Sequence, residues 1–154
     1  MSSQHDGETA WMPWDESYEL GIPTVDGQHK HLVSLVNRFR SELIKYSSSE
    51  EVGWQNALSE ALRETVQYTK THFSAEEKLM QAAGYPDFEY HRRCHQEFVE
   101  TVTYILGSFQ TATLQTAFEF VSYLKEWILS HIAYEDRQYQ QCLVEYSRRM
   151  YSPG

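Results

Sequence analysis

The sequence predicts an all-α protein, an up-down-up-down four-helix bundle with an N-terminal loop packed across it. Three observations carry this. Apolar residues recur at steps of three and four through four long segments. The breaks between those segments are short, which makes consecutive helices antiparallel neighbours. No stretch shows the strict alternation of a half-buried strand.

Residues 1–12 read as a disordered polar tail, and residues 13–146 as the bundle domain. Within WMPWDESYELGIPTVDG, Pro13, Gly21 and Pro23 block a long helix, and Trp14 is expected to anchor this loop on the bundle. The first helix presents Val25, His29, Leu32, Val36, Phe39 and Leu43 on one face and ends near Lys45–Tyr46. Ser47–Glu50 and Ser48–Glu51 each match a capping box for the second helix. Its inward face runs Trp54, Leu58, Leu62, Thr65, Thr69, His72, Glu76, Leu79. Gly84 and Pro86 end it. The third helix follows Asp87 with Phe88, His91, His95, Phe98, Val102, Ile105 and Phe109 facing in. After a break at 107–113, the fourth carries Ala117, Val121, Leu124, Ile128 and His131 and continues toward Cys142; residues 147–154 read as a tail.

At 154 residues the chain has the length of one domain, and its 41% hydrophobic and 23% charged residues are ordinary for a globular protein. A net charge of −9 argues against nucleic acid or an anionic membrane as partner. Two distant cysteines, Cys94 and Cys142, form no disulfide framework. With no signal-peptide core and no run of membrane-spanning length, a cytoplasmic protein is expected. No protein partner is indicated.

Histidine is the informative residue. Every inward stripe contains it: His29, His72, His91 with His95, and His131. A lone buried histidine is usually a hydrogen-bonded core residue. Five on four facing stripes would each cost a few kcal/mol if left without a partner, and a shared metal centre removes that cost. His31 lies about 200° from His29 around the helix and reads as a solvated neighbour. Cys94 is about 100° off the ligand face and lacks a placed acidic or amide partner, so a Cys–His nucleophile is rejected. Glu76 stands four residues after His72 and adds a carboxylate. A donor set rich in imidazole suits iron, zinc, copper or nickel, and its size suggests two ions bridged by carboxylates. In HIAYED, regular helix geometry favours Glu135 as the next ligand. Asp136 would lie about 140° off unless the helix widens locally, as in a π-bulge.

Together the runs GIPTVDGQH, HFSAEE, HRRCH after GYPDFEYH, and HIAYED resemble the hemerythrin family in its single-domain bacterial form, over roughly Trp14 to Leu143. The connection KYSSSEEVGW is longer than the family's pattern but lies between motifs. The resemblance implies a non-haem di-iron site for reversible dioxygen binding, in storage or delivery. His91, His95 and His131 would hold one iron, His29 and His72 the other, and Glu76 and Asp136 would bridge them. This selects Asp136 over Glu135. With an oxide or hydroxide bridge, one position stays open on the iron with two histidines. By resemblance and position, Phe73, Trp127 and Ile128 line an apolar oxygen pocket. Ferritin-like di-iron enzymes use more carboxylates, so a carrier is expected rather than an enzyme. The alternatives are an oxygen or redox sensor module and an enzyme acting on nitric oxide, peroxide or iron. Short polar termini favour the free carrier over the sensor.

Overall fold

The computed structural model describes residues 11–48 and 53–151. Its helices are α1 (Pro23–Ser47), α2 (Trp54–Ala83), α3 (Phe88–Ser108), α4 (Leu114–Ser130) and α5 (Arg137–Tyr151). A π-helical turn, His131–Asp136, joins α4 to α5, so the two form one long fourth rod. α1 packs between α2 and α4, and α2 also packs against α3. The result is the four-helix bundle that the periodicity predicts, and no strand occurs among the described residues. Among the described residues, no helix is long and apolar enough to cross a membrane.

Pro23 opens α1, where its fixed φ suits the first turn and its missing N–H costs nothing. Asp26 then folds back as a clamp, accepting hydrogen bonds from the Leu20 N–H (2.9 Å) and the Gly21 N–H (3.1 Å). Gly84 ends α2 at φ 71°, and the next N–H, of Tyr85, bonds to Met80 C=O at 3.0 Å in a Schellman-type closure.

Four sequence expectations need correction. Ser47 and Ser48 close α1 instead of opening α2, their hydroxyls bonding back to Ile44 C=O. The capping-box partners Glu50 and Glu51 lie outside the described residues, and Gly53 precedes α2 in a left-handed conformation. Met80, not Leu79, is the residue that the last turn of α2 fully buries. The C-terminal boundary at 147 falls inside α5, which runs to Tyr151. The N-terminal boundary also falls late. Met12 is 0% exposed, and it exchanges two 2.9 Å hydrogen bonds with Asn37, N–H to Oδ1 and Nδ2–H to C=O. Residues 1–10, the rest of that expected tail, lie outside the described residues.

The loop from Trp11 to Ile22 is therefore a strap. Arg40 and Lys125 lie over the Trp11 ring and Lys30 over Trp14. Met12 is its plug. Met12→Ala should cost about 2–5 kcal/mol, the usual penalty for emptying a buried side-chain site. A urea midpoint unchanged from wild type would show that the strap does not contribute to the core.

Two apolar clusters fill the interior. The larger includes Leu32, Phe39, Leu62, Phe73, Phe98, Val121, Ile128 and Ile132. The smaller holds Leu20, Val25, Met80, Tyr139 and Leu143. Polar residues occupy the layer between them: His29 follows Val25 and precedes Leu32, Glu76 lies between Phe73 and Met80, and Asp136 between Ile132 and Tyr139.

Candidate metal centre

Each rod contributes to that layer through helical spacing. α1 offers His29, α2 offers His72 and Glu76 one turn apart, α3 offers His91 and His95 one turn apart, and the fourth rod offers His131 and Asp136. All seven side chains are at most 4% exposed. Asp136 reaches the layer because the helix widens into a π-turn between it and His131. Regular geometry would have brought in Glu135. Here that residue instead lines a surface pocket with Cys94, Trp127 and Ser130.

The seven side chains form two overlapping groups whose donor atoms lie within 4.8 Å of one another: Glu76, His91, His95, His131 and Asp136; and His29, His72, Glu76 and Asp136. The two carboxylates belong to both. Asp136 Oδ1 is 3.0 Å from the Nε2 atoms of His91 and His131, and Oδ2 is 3.0 Å from His29 Nε2. Glu76 Oε1 lies 2.9 Å from His91 Nε2, and Oε2 lies 2.9 Å from His72 Nε2.

Whether these residues suit a metal can be judged from their polar atoms. Both ring nitrogens of His29, Glu76 Oε2 and both Asp136 oxygens are buried without an aligned hydrogen bond, although several sit at ion-pair distance from one another. Leaving such atoms unpaired costs about 1–3 kcal/mol each. Donors that converge on common space without pointing at each other fit cations between them. The mixed imidazole and carboxylate set fits a transition metal.

In the metal-free protein, protons balance the charge. Burial disfavours an imidazolium at His29 and His131, but Asp136 and Glu76 outweigh it, pushing His29 up to about 9 and His131 up to about 10. His91 shifts upward for the same reasons. Burial would raise Glu76, yet the charge of His72 and the nearby rings of His131, His29 and His72 hold it well below the usual carboxylate range. For Asp136, burial and the charge of Glu76 push up, and His131 and His29 overcome them, so it too is lowered.

A raised histidine stabilises the fold fully below its unfolded value near 6.5 and stops doing so as pH climbs through about 9 to 10. A depressed carboxylate stabilises above its unfolded value, near 4.5 for Glu76, and loses this as pH falls. The metal-free protein should therefore be most stable between about pH 4.5 and 6.5 and weaken steadily toward pH 10. Urea midpoints across that range check this, and a flat alkaline limb would contradict it.

Partners behind the rings were not picked out from the sequence. Gln28 Oε1 accepts from His72 Nδ1–H at 2.7 Å, and Glu77 Oε2 from His95 Nδ1–H at 3.2 Å. Each is adjacent to a stripe residue, which is the one signal that could have marked it. The wholly buried Tyr139 ring stands 5.4 Å from His91.

Of the three residues expected to line a pocket, Phe73 stacks on His95 at 3.8 Å and 3°. Trp127 stacks on His131 at 4.5 Å and 11°. Ile128 is buried in the larger cluster beside the layer. Phe98 backs Trp127 at 3.9 Å. These rings wall the three-histidine side, so Phe73 and Trp127 stack on ligands of that group and not on the two-histidine group where the resemblance puts the open position.

Comparison with known proteins agrees with this architecture. The profile of the hemerythrin HHE cation binding domain matches residues 20–143. The bacteriohemerythrin of Stenotrophomonas maltophilia is 30% identical over 130 residues, 84% of this chain and 80% of that protein. The myohemerythrin of Theromyzon tessulatum is 27% identical over 127 residues, 82% of this chain and 89% of its own. Among solved structures, wild-type hemerythrin superposes with a TM-score of 0.74 at 24% identity, covering 87% of this chain and 98% of that one, which supports the fold. With a domain match that runs from the strap into α5, and a relative aligned along most of its own length, the chain belongs to the hemerythrin family.

Proposed function

We propose that this protein binds dioxygen reversibly at a non-haem di-iron centre, as a store or carrier and not as an enzyme. The observation that carries the reading is the pair of overlapping donor groups sharing Glu76 and Asp136. His91, His95 and His131 would hold one ion and His29 and His72 the other, with both carboxylates between them. The names of the relatives, bacteriohemerythrin and myohemerythrin, point the same way. Iron bound there would supply the reducing electrons and the open coordination position that dioxygen needs.

The remaining work falls to the chain. A carrier must keep water and stray protons from the bound gas, or reduced oxygen escapes. Ile128, Phe73 and Ile132 close the layer on one side, and Trp127 and Phe98 stack over its three-histidine edge. The second apolar cluster closes the other side. Only two of the seven candidate ligand residues are carboxylates, which gives less support to high oxidation states than a carboxylate-rich enzyme site would.

The test is anaerobic reconstitution with Fe(II), iron counting, and cycles of air and argon followed in the visible spectrum. Two irons per chain and a charge-transfer band that returns on each cycle are expected. A band that never forms, or decays at once to the oxidised protein, would rule out reversible carriage.

A sensor reading has one observation in its favour. Residues just beyond Asp136 hold the strap: the Arg137 guanidinium donates to Ser17 C=O, and Gln140 Nε2 donates to Leu20 C=O at 2.9 Å. A shift at Asp136 on ligand binding would reach the strap through them. Oxygen-dependent hydrogen exchange between Trp11 and Ile22 would favour this reading, and identical exchange with and without oxygen would remove it.

A further inference from the structure

We infer that Glu77 is a positioning residue for His95, and that it makes the three-histidine group the first of the two to take up a metal ion. The inference rests on the reading of this layer as a two-metal centre.

α2 carries two consecutive carboxylates with different surroundings. Glu76 is wholly buried among the histidines. Glu77, about 100° further round the helix, faces a groove of about 590 Å³ between α2 and α3, whose lining includes Phe73, Arg92, His95 and Val99. The Glu77 side chain is 23% exposed and its Oε2 stands 3.2 Å from His95 Nδ1.

An ionised carboxylate only accepts, so His95 donates through Nδ1–H. In the neutral ring Nε2 then carries the lone pair, and Nε2 is the atom that faces the centre, 3.3 Å from Glu76 Oε1. It lies 3.0 Å from His131 Nε2, so one of these two nitrogens donates and the other accepts. Phe73, parallel to the His95 ring at 3.8 Å, restrains its rotation. Ring plane and tautomer are both set before any metal arrives.

The two-histidine group is built differently. Behind His72 stands Gln28, an amide, at 2.7 Å. An amide fixes a ring without adding charge. A carboxylate also makes the imidazole a stronger donor. The donor sets differ in the same direction, five residues in the three-histidine group against four in the other. Both differences favour the group that contains His95.

The experiment uses Zn²⁺ as the probe. Metal-free wild type, E77Q and E77L are titrated by calorimetry, with histidine ring ¹⁵N signals followed by NMR and the fold checked by circular dichroism. In wild type, the rings of His91, His95 and His131 should shift with the first equivalent, and those of His29 and His72 with the second. E77L should weaken the first step about 10- to 100-fold and let His95 populate both tautomers before metal is added. E77Q keeps an acceptor oxygen, so it should keep the tautomer and lose less affinity.

Simultaneous loading, or His29 and His72 shifting first, overturns the order. An unchanged first step in E77L overturns the role of Glu77, as does an E77Q that scrambles the tautomer as fully as E77L. If E77L does not fold, E77Q decides: a weaker first step with the tautomer kept supports the proposal, and an unchanged first step overturns it. A wild-type protein that takes up no Zn²⁺ would instead sink the two-metal reading itself.

Discussion

Glu76→Gln should leave a folded bundle that holds at most one metal ion per chain, and should cost the metal-free protein about 3–5 kcal/mol near pH 6, the usual cost of removing one partner from a buried ion pair. Glu76 has this leverage because of its reach. Its two oxygens lie within 3.9 Å of the Nε2 atoms of all five buried histidines: 2.9 Å from His72 and His91, 3.3 Å from His95, 3.5 Å from His29 and 3.9 Å from His131. Glutamine preserves the volume, so no cavity contributes. It removes the charge that keeps imidazolium protons in a buried layer, and it turns an NH₂ group toward rings that are themselves donors. Urea unfolding and metal counting after dialysis measure the two effects separately. A variant that retained two ions at wild-type affinity would remove Glu76 from any bridging role.

The same electrostatics explain how a metal-free layer survives inside a core. Two carboxylates and five imidazoles would be ruinous if all were charged or all were orphaned. His29, His91 and His131, all shifted upward, supply positive charge opposite Glu76 and Asp136. The cost reappears on metal binding, since a protonated imidazole is not a ligand. Uptake must displace those protons, so affinity should fall as pH falls.

Much of this was legible in the sequence for one physical reason. Helical periodicity assigns a face to each residue, and His29, His72, Glu76, His91, His95 and His131 all fall on stripes made mostly of apolar residues. Burial at those positions follows from the pattern alone. Features that depend on a distant part of the chain were not legible. Met12 is buried because Asn37, twenty-five residues away, offers a paired clamp. The aromatic run WMPW marks a segment that packs, but nothing in it says that Met12 is the residue that becomes fully buried. Ser47 and Ser48 match a capping box as well as they match an α1 terminus, and only the path of the chain decides between these. Gln28 and Glu77 look like ordinary solvated neighbours of stripe residues until the ring in front of each has a direction. The π-turn is the intermediate case: helix spacing admitted Asp136 only if the helix widened there, the resemblance selected Asp136, and spacing alone favoured Glu135. The helix must present His131 and Asp136 to one layer and still deliver Tyr139 and Leu143 to the second apolar cluster.

That turn sets up the second large effect. Asp136→Ala should abolish tight binding of the second metal ion, whereas Glu135→Ala should leave metal content and affinity unchanged. The two residues are adjacent and carry the same charge. In a regular helix Glu135 would be the better aimed, by about 100°. The π-turn reverses this. Asp136 is wholly buried, with oxygens 3.0 Å from His29, His91 and His131. Glu135 is half-buried in a pocket on the surface. Removing Asp136 strips both donor groups of a shared ligand and leaves His29 with no carboxylate closer than Glu76 at 3.5 Å. Parallel Zn²⁺ titrations of the two variants make the comparison. The opposite result, with Glu135→Ala losing metal and Asp136→Ala keeping it, would mean that the helix regularises when loaded and that the widened turn is a feature of the metal-free state only.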